Sequence, residues 1–213
     1  MCGIIGFYTN KVKKEHIDIL LELIFQSKIR GLHSFGLSYY KDGKITTERY
    51  FGLAENILDG FKSSGSNMLI YHNRYSTSGD WEDMNNNQPI TIGNVSVAVN
   101  GVLSMKPKEE YEQEFNVKCN TENDSEVFAQ KIVNNENIPQ FIKDYPENTT
   151  AMVVLKDGSV YALRNNSRPL HWFKLHDAVF VVSTVDIVRR ALGSEIEIFD
   201  IPKFEWVDLH EKL

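Results

Sequence analysis

Apolar residues fall in short runs along most of the chain, and turn-forming residues separate them. Cys2 to Tyr8 is a short β-rich run that predicts a strand, after which Ile17, Leu20, Leu21 and Ile24 share one face at helical spacing. Asp42-Gly43 divides Phe35–Tyr40 from Lys44–Tyr50, and Asp157-Gly158 divides Thr150–Lys156 from Ser159–Arg164. A two-residue Asp-Gly between such runs signals a hairpin, because its tight turn needs positive φ at both central positions. Met68–Tyr71, Val95–Val99 and Ala178–Val182 predict further strands, while Glu126–Val133 and Val185–Leu192 predict helices. Antiparallel hairpins with separate helices imply an α+β fold. Ser76–Pro89, with Gly79, three consecutive asparagines and Pro89, reads as a long surface loop, and such loops in compact domains are often functional. No repeat, linker or composition break interrupts the pattern, so a single domain is expected over residues 1–213.

Composition narrows the class of protein. At 42% hydrophobic and 24% charged, the 213 residues can build a packed core, which excludes a disordered or fibrous chain. The 23 Lys+Arg against 29 Asp+Glu leave a formal charge of −6, with no basic excess to meet a phosphate backbone. No apolar run approaches the roughly 20 residues that cross a bilayer, and the start lacks the basic segment of a signal peptide. A soluble, cytoplasmic protein with neither nucleic acid nor membrane as partner is expected. Cys2 and Cys119 are the two cysteines, without the spacing of a disulfide framework or a zinc site, so no metal and no cofactor are expected. Cys119 lies in the polar stretch Lys118 to Asn123 and is assigned no role.

Cys2 stands directly after the initiator methionine. Removal of Met1 would give one residue both a thiol and a free α-amino group, a nucleophile with its own base. The reference values, roughly 7.7–8.0 for the amine and about 8.5 for the thiol, are close enough for such an amine to take the thiol proton near neutral pH. A small apolar residue packed in the first strand is the plainer reading of Cys2.

Further segments follow in order: Cys2-Gly3-Ile4-Ile5-Gly6, Arg30-Gly31-Leu32-His33-Ser34-Phe35-Gly36, His72-Asn73-Arg74-Tyr75-Ser76-Thr77, Asn87-Gln88-Pro89, Asn100-Gly101, Asp124-Ser125-Glu126, and Arg164 to Leu170. Together, from residue 2 to about Leu192, they resemble the glutaminase domain of the class II glutamine amidotransferases, which are N-terminal nucleophile hydrolases. The resemblance implies a four-layer αββα sandwich, two mainly antiparallel sheets between helical layers. It implies hydrolysis of L-glutamine to L-glutamate and ammonia through a Cys2 thioester. Asn100 and Gly101 would form the oxyanion hole, a use compatible with the hairpin turn that Asn-Gly otherwise signals. Arg74, alternatively a surface ion-pair partner, would grip the substrate carboxylate with Thr77 as a secondary contact, and Asp124, alternatively a helix cap, would hold the ammonium. Those two charges would select a free amino acid over a peptide amide. Gln88 and Tyr75 would line the pocket, and Arg30 would pack against the amino terminus. His72 is expected to be structural.

Two positions depart from the family pattern: His33 stands where an Asp is usual, and Val99 where a His commonly precedes Asn-Gly. Family members generally continue into a synthase domain, which is not expected here, so the resemblance implies that ammonia passes to a separate synthase or transferase subunit. The alternatives are an amidohydrolase for another γ-glutamyl amide, a catalytically silent regulatory module of the same fold, and an unrelated α+β binding protein.

Overall fold

The computed structural model describes residues 1–52, 56–76 and 80–213. Along the chain run β1 (Gly3–Thr9), α1 (Lys14–Ser27), β2 (Ser34–Lys41), β3 (Lys44–Tyr50), α2 (Asp59–Ser64) and β4 (Met68–Arg74). Then come β5 (Ile90–Ile92), β6 (Val95–Val102), α3 (Lys108–Phe115), α4 (Glu126–Val133) and α5 (Ile138–Asp144). The last part holds β7 (Thr149–Lys156), β8 (Ser159–Arg164), β9 (His171–Leu175), β10 (Ala178–Val182), α6 (Val185–Leu192), β11 (Phe199–Asp200) and β12 (Val207–Asp208). Both Asp-Gly hairpins form, and Asp42, Gly43, Asp157 and Gly158 all take the positive φ that such turns need.

The strands build two antiparallel sheets, one ordered β11-β9-β10-β1-β4-β2-β3 and the other β12-β8-β7-β6-β5. Period-two alternation sorts their side chains into three apolar layers. Ile5, Phe7, Leu69, Tyr71 and Phe180 pack outward on Leu20, Leu23 and Ile24 of α1, with Ile187 and Val188 of α6. On the other outer face Val95, Val97, Val99, Met152 and Val154 pack on Phe115 of α3, Phe128 of α4 and Phe141 of α5. Ile4, Ile70, Ala98, Ala151, Val153 and Val181 meet between the sheets. Helix, sheet, sheet and helix thus form a four-layer α+β sandwich, in which central strands such as β1, β4 and β10 bury both of their faces.

The seam between the sheets also holds a closed ring of hydroxyls. Ser38 meets Thr47 at 2.7 Å, Thr47 meets Thr91 at 2.6 Å, Thr91 donates to Ser96 at 2.8 Å, and Ser96 donates back to Ser38 at 2.8 Å. Each sheet supplies two of the four groups, so the ring satisfies buried polar atoms while fixing one sheet against the other. Among the described residues, no helix is long and apolar enough to cross a membrane.

Candidate active site

Strand parity decides which polar side chains enter the seam. In β1 the seam-facing positions include Ile4 and Tyr8, so Cys2 continues that face; in β4 they are Met68 and Ile70, so His72 and Arg74 continue it. Asn100 continues the face of Ala98 in β6. Gly3 pairs with Asn73, which puts Cys2 beside Arg74, and His72 Nε2 lies 3.2 Å from the carbonyl of Val99, next to Asn100. Cys2, Arg74 and Asn100, far apart in sequence, therefore line one end of the same layer. His72 is buried with its pKa drawn down to about 3, chiefly by desolvation, which makes it a neutral strut between the sheets.

The Cys2 thiol is buried. Its Sγ lies 3.4 Å from the Tyr75 amide, which donates to it, and 3.6 Å from the Tyr75 carbonyl. Burial pushes the thiol pKa up, opposed by the Tyr75 amide, the terminal ammonium, Arg74 and Arg30. Burial lowers the pKa of the terminal amine, here that of Met1, with Arg30 and Arg168 acting in the same direction. Arg30 Nε donates to the Cys2 carbonyl at 2.8 Å, so its guanidinium packs on the amino terminus. A Cβ on Gly3 would collide with the side-chain amide of Asn73, which is held in place by the Ser27 and Gly31 carbonyls, so glycine fits this close approach at the start of β1.

Arg74 is 2% exposed, which rules out an ordinary surface ion pair. Its Nη1 donates to Asn87 Oδ1 at 2.6 Å, and the charges of Asp124 and Asp80 act on it. Asp124 is 3% exposed and does not cap α4, whose Ncap is Ser125 with no side-chain cap bond. Its Oδ2 instead accepts from the amides of Leu103 at 2.6 Å and Ser104 at 3.0 Å, the residues that follow β6. The guanidinium and the carboxylate thus reach the β6 end from different elements, each held by polar partners.

Asn100-Gly101 is not a turn. Both residues lie within β6, opposite Ala151 and Thr150 of β7, and the strand runs on to Val102. Pairing with β7 overrides the local turn preference of Asn-Gly, and the alternation seen at Val95, Val97 and Val99 simply continues. Asn100 is 1% exposed, and its Nδ2 has no hydrogen-bond partner among the described residues. Val99 donates its amide to Gln88 Oε1, while the Val102 amide donates to Thr149 Oγ1 on the β7 side. Successive residues of a strand alternate edges, so the Gly101 N–H points with that of Val99, away from β7. A Cβ on Gly101 would strike the Thr149 carbonyl, so only glycine fits at this approach.

The expected surface loop is exposed or half-buried over residues 80–85 and turns into the protein at its end. Asn86, Asn87 and Gln88 are all buried. Asn87 bridges Arg74 and the Trp81 carbonyl; Asn86 accepts from the Glu122 amide and takes a bond from Asn123 at its own carbonyl. Gln88 accepts from the Val99 amide and donates to Ser125 Oγ at 3.1 Å, bracing β6 against the start of α4. Tyr75 matters through its backbone, its ring being 52% exposed. Thr77 lies outside the described residues. Asn87, Asn86 and Asn123 were missed by sequence reasoning, and the run Asn85-Asn86-Asn87 was the available signal. Among the described residues, no group of three His, Cys, Asp or Glu could hold a metal ion. Cys119 is buried against α3 and α4, its pKa raised to about 12, first by burial.

No protein-family model matches the chain. An amidophosphoribosyltransferase of Methanothermobacter thermautotrophicus is 28% identical over 211 residues, covering 91% of this chain and 44% of that protein. A glutamine–fructose-6-phosphate aminotransferase of Clostridium acetobutylicum is 32% identical over 106 residues, 48% of this chain and 17% of the relative. The chain therefore spans less than half the length of these relatives. Among solved structures, the glutamine phosphoribosylpyrophosphate amidotransferase of B. subtilis superposes with a TM-score of 0.72 at 18% identity, over 97% of this chain and 48% of the other. A glutamine aminotransferase class-II domain protein of Silicibacter pomeroyi superposes with a TM-score of 0.53 at 13% identity, over 97% and 98% of the two chains. At these identities the superpositions establish a shared fold.

Proposed function

We propose that this chain, a relative of the class II glutamine amidotransferases with the N-terminal nucleophile hydrolase fold, hydrolyses the side-chain amide of L-glutamine to give L-glutamate and ammonia. The observation that carries the reading is the buried Asn100 Nδ2, without a hydrogen-bond partner among the described residues, at the seam end where the Cys2 thiol also lies. A buried donor without an acceptor disfavours folding by about 1–3 kcal/mol, and an oxyanion formed at Cys2 gives it one.

In the proposed reaction, Met1 is removed and the exposed Cys2 amine takes the Sγ proton. The thiolate attacks the amide carbon, and its carbonyl oxygen becomes an oxyanion received by Asn100 Nδ2 and the Gly101 N–H. The amine returns the proton to the leaving nitrogen, the C–N bond breaks, and ammonia departs from a thioester. Water, deprotonated by the same amine, adds to the thioester through a second oxyanion, and the C–S bond breaks to release glutamate. Arg74 meets the substrate carboxylate and Asp124 its ammonium, each charge already held by a polar partner before the substrate arrives. The ammonia passes to a synthase or transferase partner.

The test is the chain bearing Cys2 as its first residue, its mass verified intact, assayed for glutamate release from L-glutamine. A glutamine-mimicking electrophile should label Cys2 and not Cys119 by peptide mapping. Equal labelling in Cys2→Ala, or no glutamate from the processed chain, overturns the reading. Equal turnover of an N-acylated glutamine would remove Asp124 from substrate recognition.

A further inference from the structure

His33 departs from the family pattern, and it holds the segment of backbone that touches the nucleophile. Its own amide donates to the Arg74 carbonyl at 3.0 Å, and its ring Nδ1 accepts from the Ser76 amide at 2.9 Å. One residue thereby grips the chain on both sides of Tyr75, the residue whose amide lies 3.4 Å from Cys2 Sγ. The ring is also stacked between two others, Tyr75 at 5.2 Å and 21° and Trp81 at 5.2 Å and 23°, while Phe51 stands edge-on to Trp81 at 6.0 Å. An Nδ1 that accepts from a backbone N–H places the proton of the neutral ring on Nε2, so the hydrogen bond also selects the tautomer.

We propose that His33 is a positioning residue for the nucleophile: its Nδ1 holds the Ser76 amide and so keeps the Tyr75 N–H directed at the Cys2 sulfur. This rests on the reading of Cys2 as the reacting group. A donor aimed at sulfur favours the thiolate over the thiol, and the Tyr75 N–H keeps that aim only while its own Arg74–Tyr75 peptide, held through the Arg74 carbonyl, and the adjoining Tyr75–Ser76 peptide, held by Nδ1, both keep their orientation. The aromatic stack limits rotation of the ring, but the hydrogen bond sets where the peptide lies. Asn supplies the needed acceptor without the ring, since its Oδ1 sits on the same branch as the histidine Nδ1, and Phe supplies the ring without the acceptor.

The two substitutions separate the roles. Cys2 of the processed chain is alkylated with iodoacetamide over a range of pH and followed by peptide mapping, which keeps it distinct from Cys119, alongside kcat and KM for glutamine. His33→Phe should slow Cys2 alkylation at pH 7 by about tenfold, as expected for one lost hydrogen bond to the reactive form, and lower kcat by a similar factor with KM within twofold. Its alkylation profile should shift to higher pH. His33→Asn should stay within about threefold of the parent in both measurements. Alkylation of His33→Phe at the parent rate, or of His33→Asn as slowly as the phenylalanine variant, overturns the assignment. If the parent fails to hydrolyse glutamine but the alkylation pattern holds, the glutamine reading falls and the positioning role of His33 stands.

Discussion

Replacing Asn100 with leucine sets catalysis and stability against each other. The two side chains have nearly the same branched shape, so the strand and the packing of the seam are retained while the amide is lost. In the parent, Asn100 Nδ2 is buried and unpartnered among the described residues, a disadvantage of about 1–3 kcal/mol for the folded state. Asn100→Leu removes that disadvantage and should stabilise the fold by about 1–2 kcal/mol, raising Tm by roughly 2–8 °C for a chain of this length. The same change removes an oxyanion donor, which is worth about 10²–10³ in turnover, or about 3–4 kcal/mol. Glutamate release under saturating glutamine gives the first quantity, and thermal melting followed by circular dichroism gives the second. A donor reserved for the transition state gives a variant that is more stable and nearly inactive. A variant that melts below the parent yet turns over at the parent rate would refute the reasoning, because Asn100 would then serve the fold. Asn100→Asp adds a control: it keeps the shape, places a carboxylate where the oxyanion forms, and should be inactive.

His72, with a pKa of about 3 when folded against roughly 6.5 when unfolded, binds its proton more readily in the unfolded chain between those values. Its contribution to stability is therefore complete above about pH 6.5 and falls by about 1.4 kcal/mol per pH unit as pH drops toward 3. His72→Gln, which can still donate to the Val99 carbonyl, should show a shallower acid limb in urea melts, and an unchanged slope would contradict this. Arg74→Lys keeps the charge but loses the two-pronged donor, so KM for glutamine should rise at least tenfold with kcat less affected; an unchanged KM would remove the carboxylate contact. Gly101→Ala forces a methyl group onto the Thr149 carbonyl and should unfold the β6–β7 pairing, seen as loss of a cooperative melt; a folded variant with parent stability would contradict the close approach.

The layered fold was legible because its strands alternate. Val95, Val97 and Val99 face one helical layer and Ile4, Ile70 and Ala98 face the seam, and that parity also places Cys2, Arg74 and Asn100 together. The Asn100-Gly101 pair misleads as a turn because its preference is local and β7, about fifty residues on, decides otherwise. α3, whose eight residues carry only Tyr111 and Phe115 as apolar contacts, has too weak a pattern to be read without its partners. The same limit applies to Asp124, whose position ahead of α4 suggests a cap while its actual partners are the Leu103 and Ser104 amides. Asn86, Asn87 and Asn123 look like solvated loop residues in sequence, and only the folded chain supplies the acceptors and donors that bury them.

The hydroxyl ring of Ser38, Thr47, Thr91 and Ser96 determines when order is acquired along this wall of the site. Thr91 and Ser96 lie just beyond Asn86–Gln88, which are themselves bonded to Arg74, Asn123, Val99 and Ser125, so residues 86–96 are tethered at both ends before any substrate is present. The rotamer freedom of these side chains is lost once, during folding, where the cooperative collapse of both sheets compensates for it. A small zwitterion binding there has no comparable ordering to bring about, so its limited contact energy goes into orientation and not into assembling a wall. None of the four hydroxyls titrates in the physiological range, so the joint between the sheets holds its shape across changes of pH and ionic strength that would loosen an ion pair in the same place.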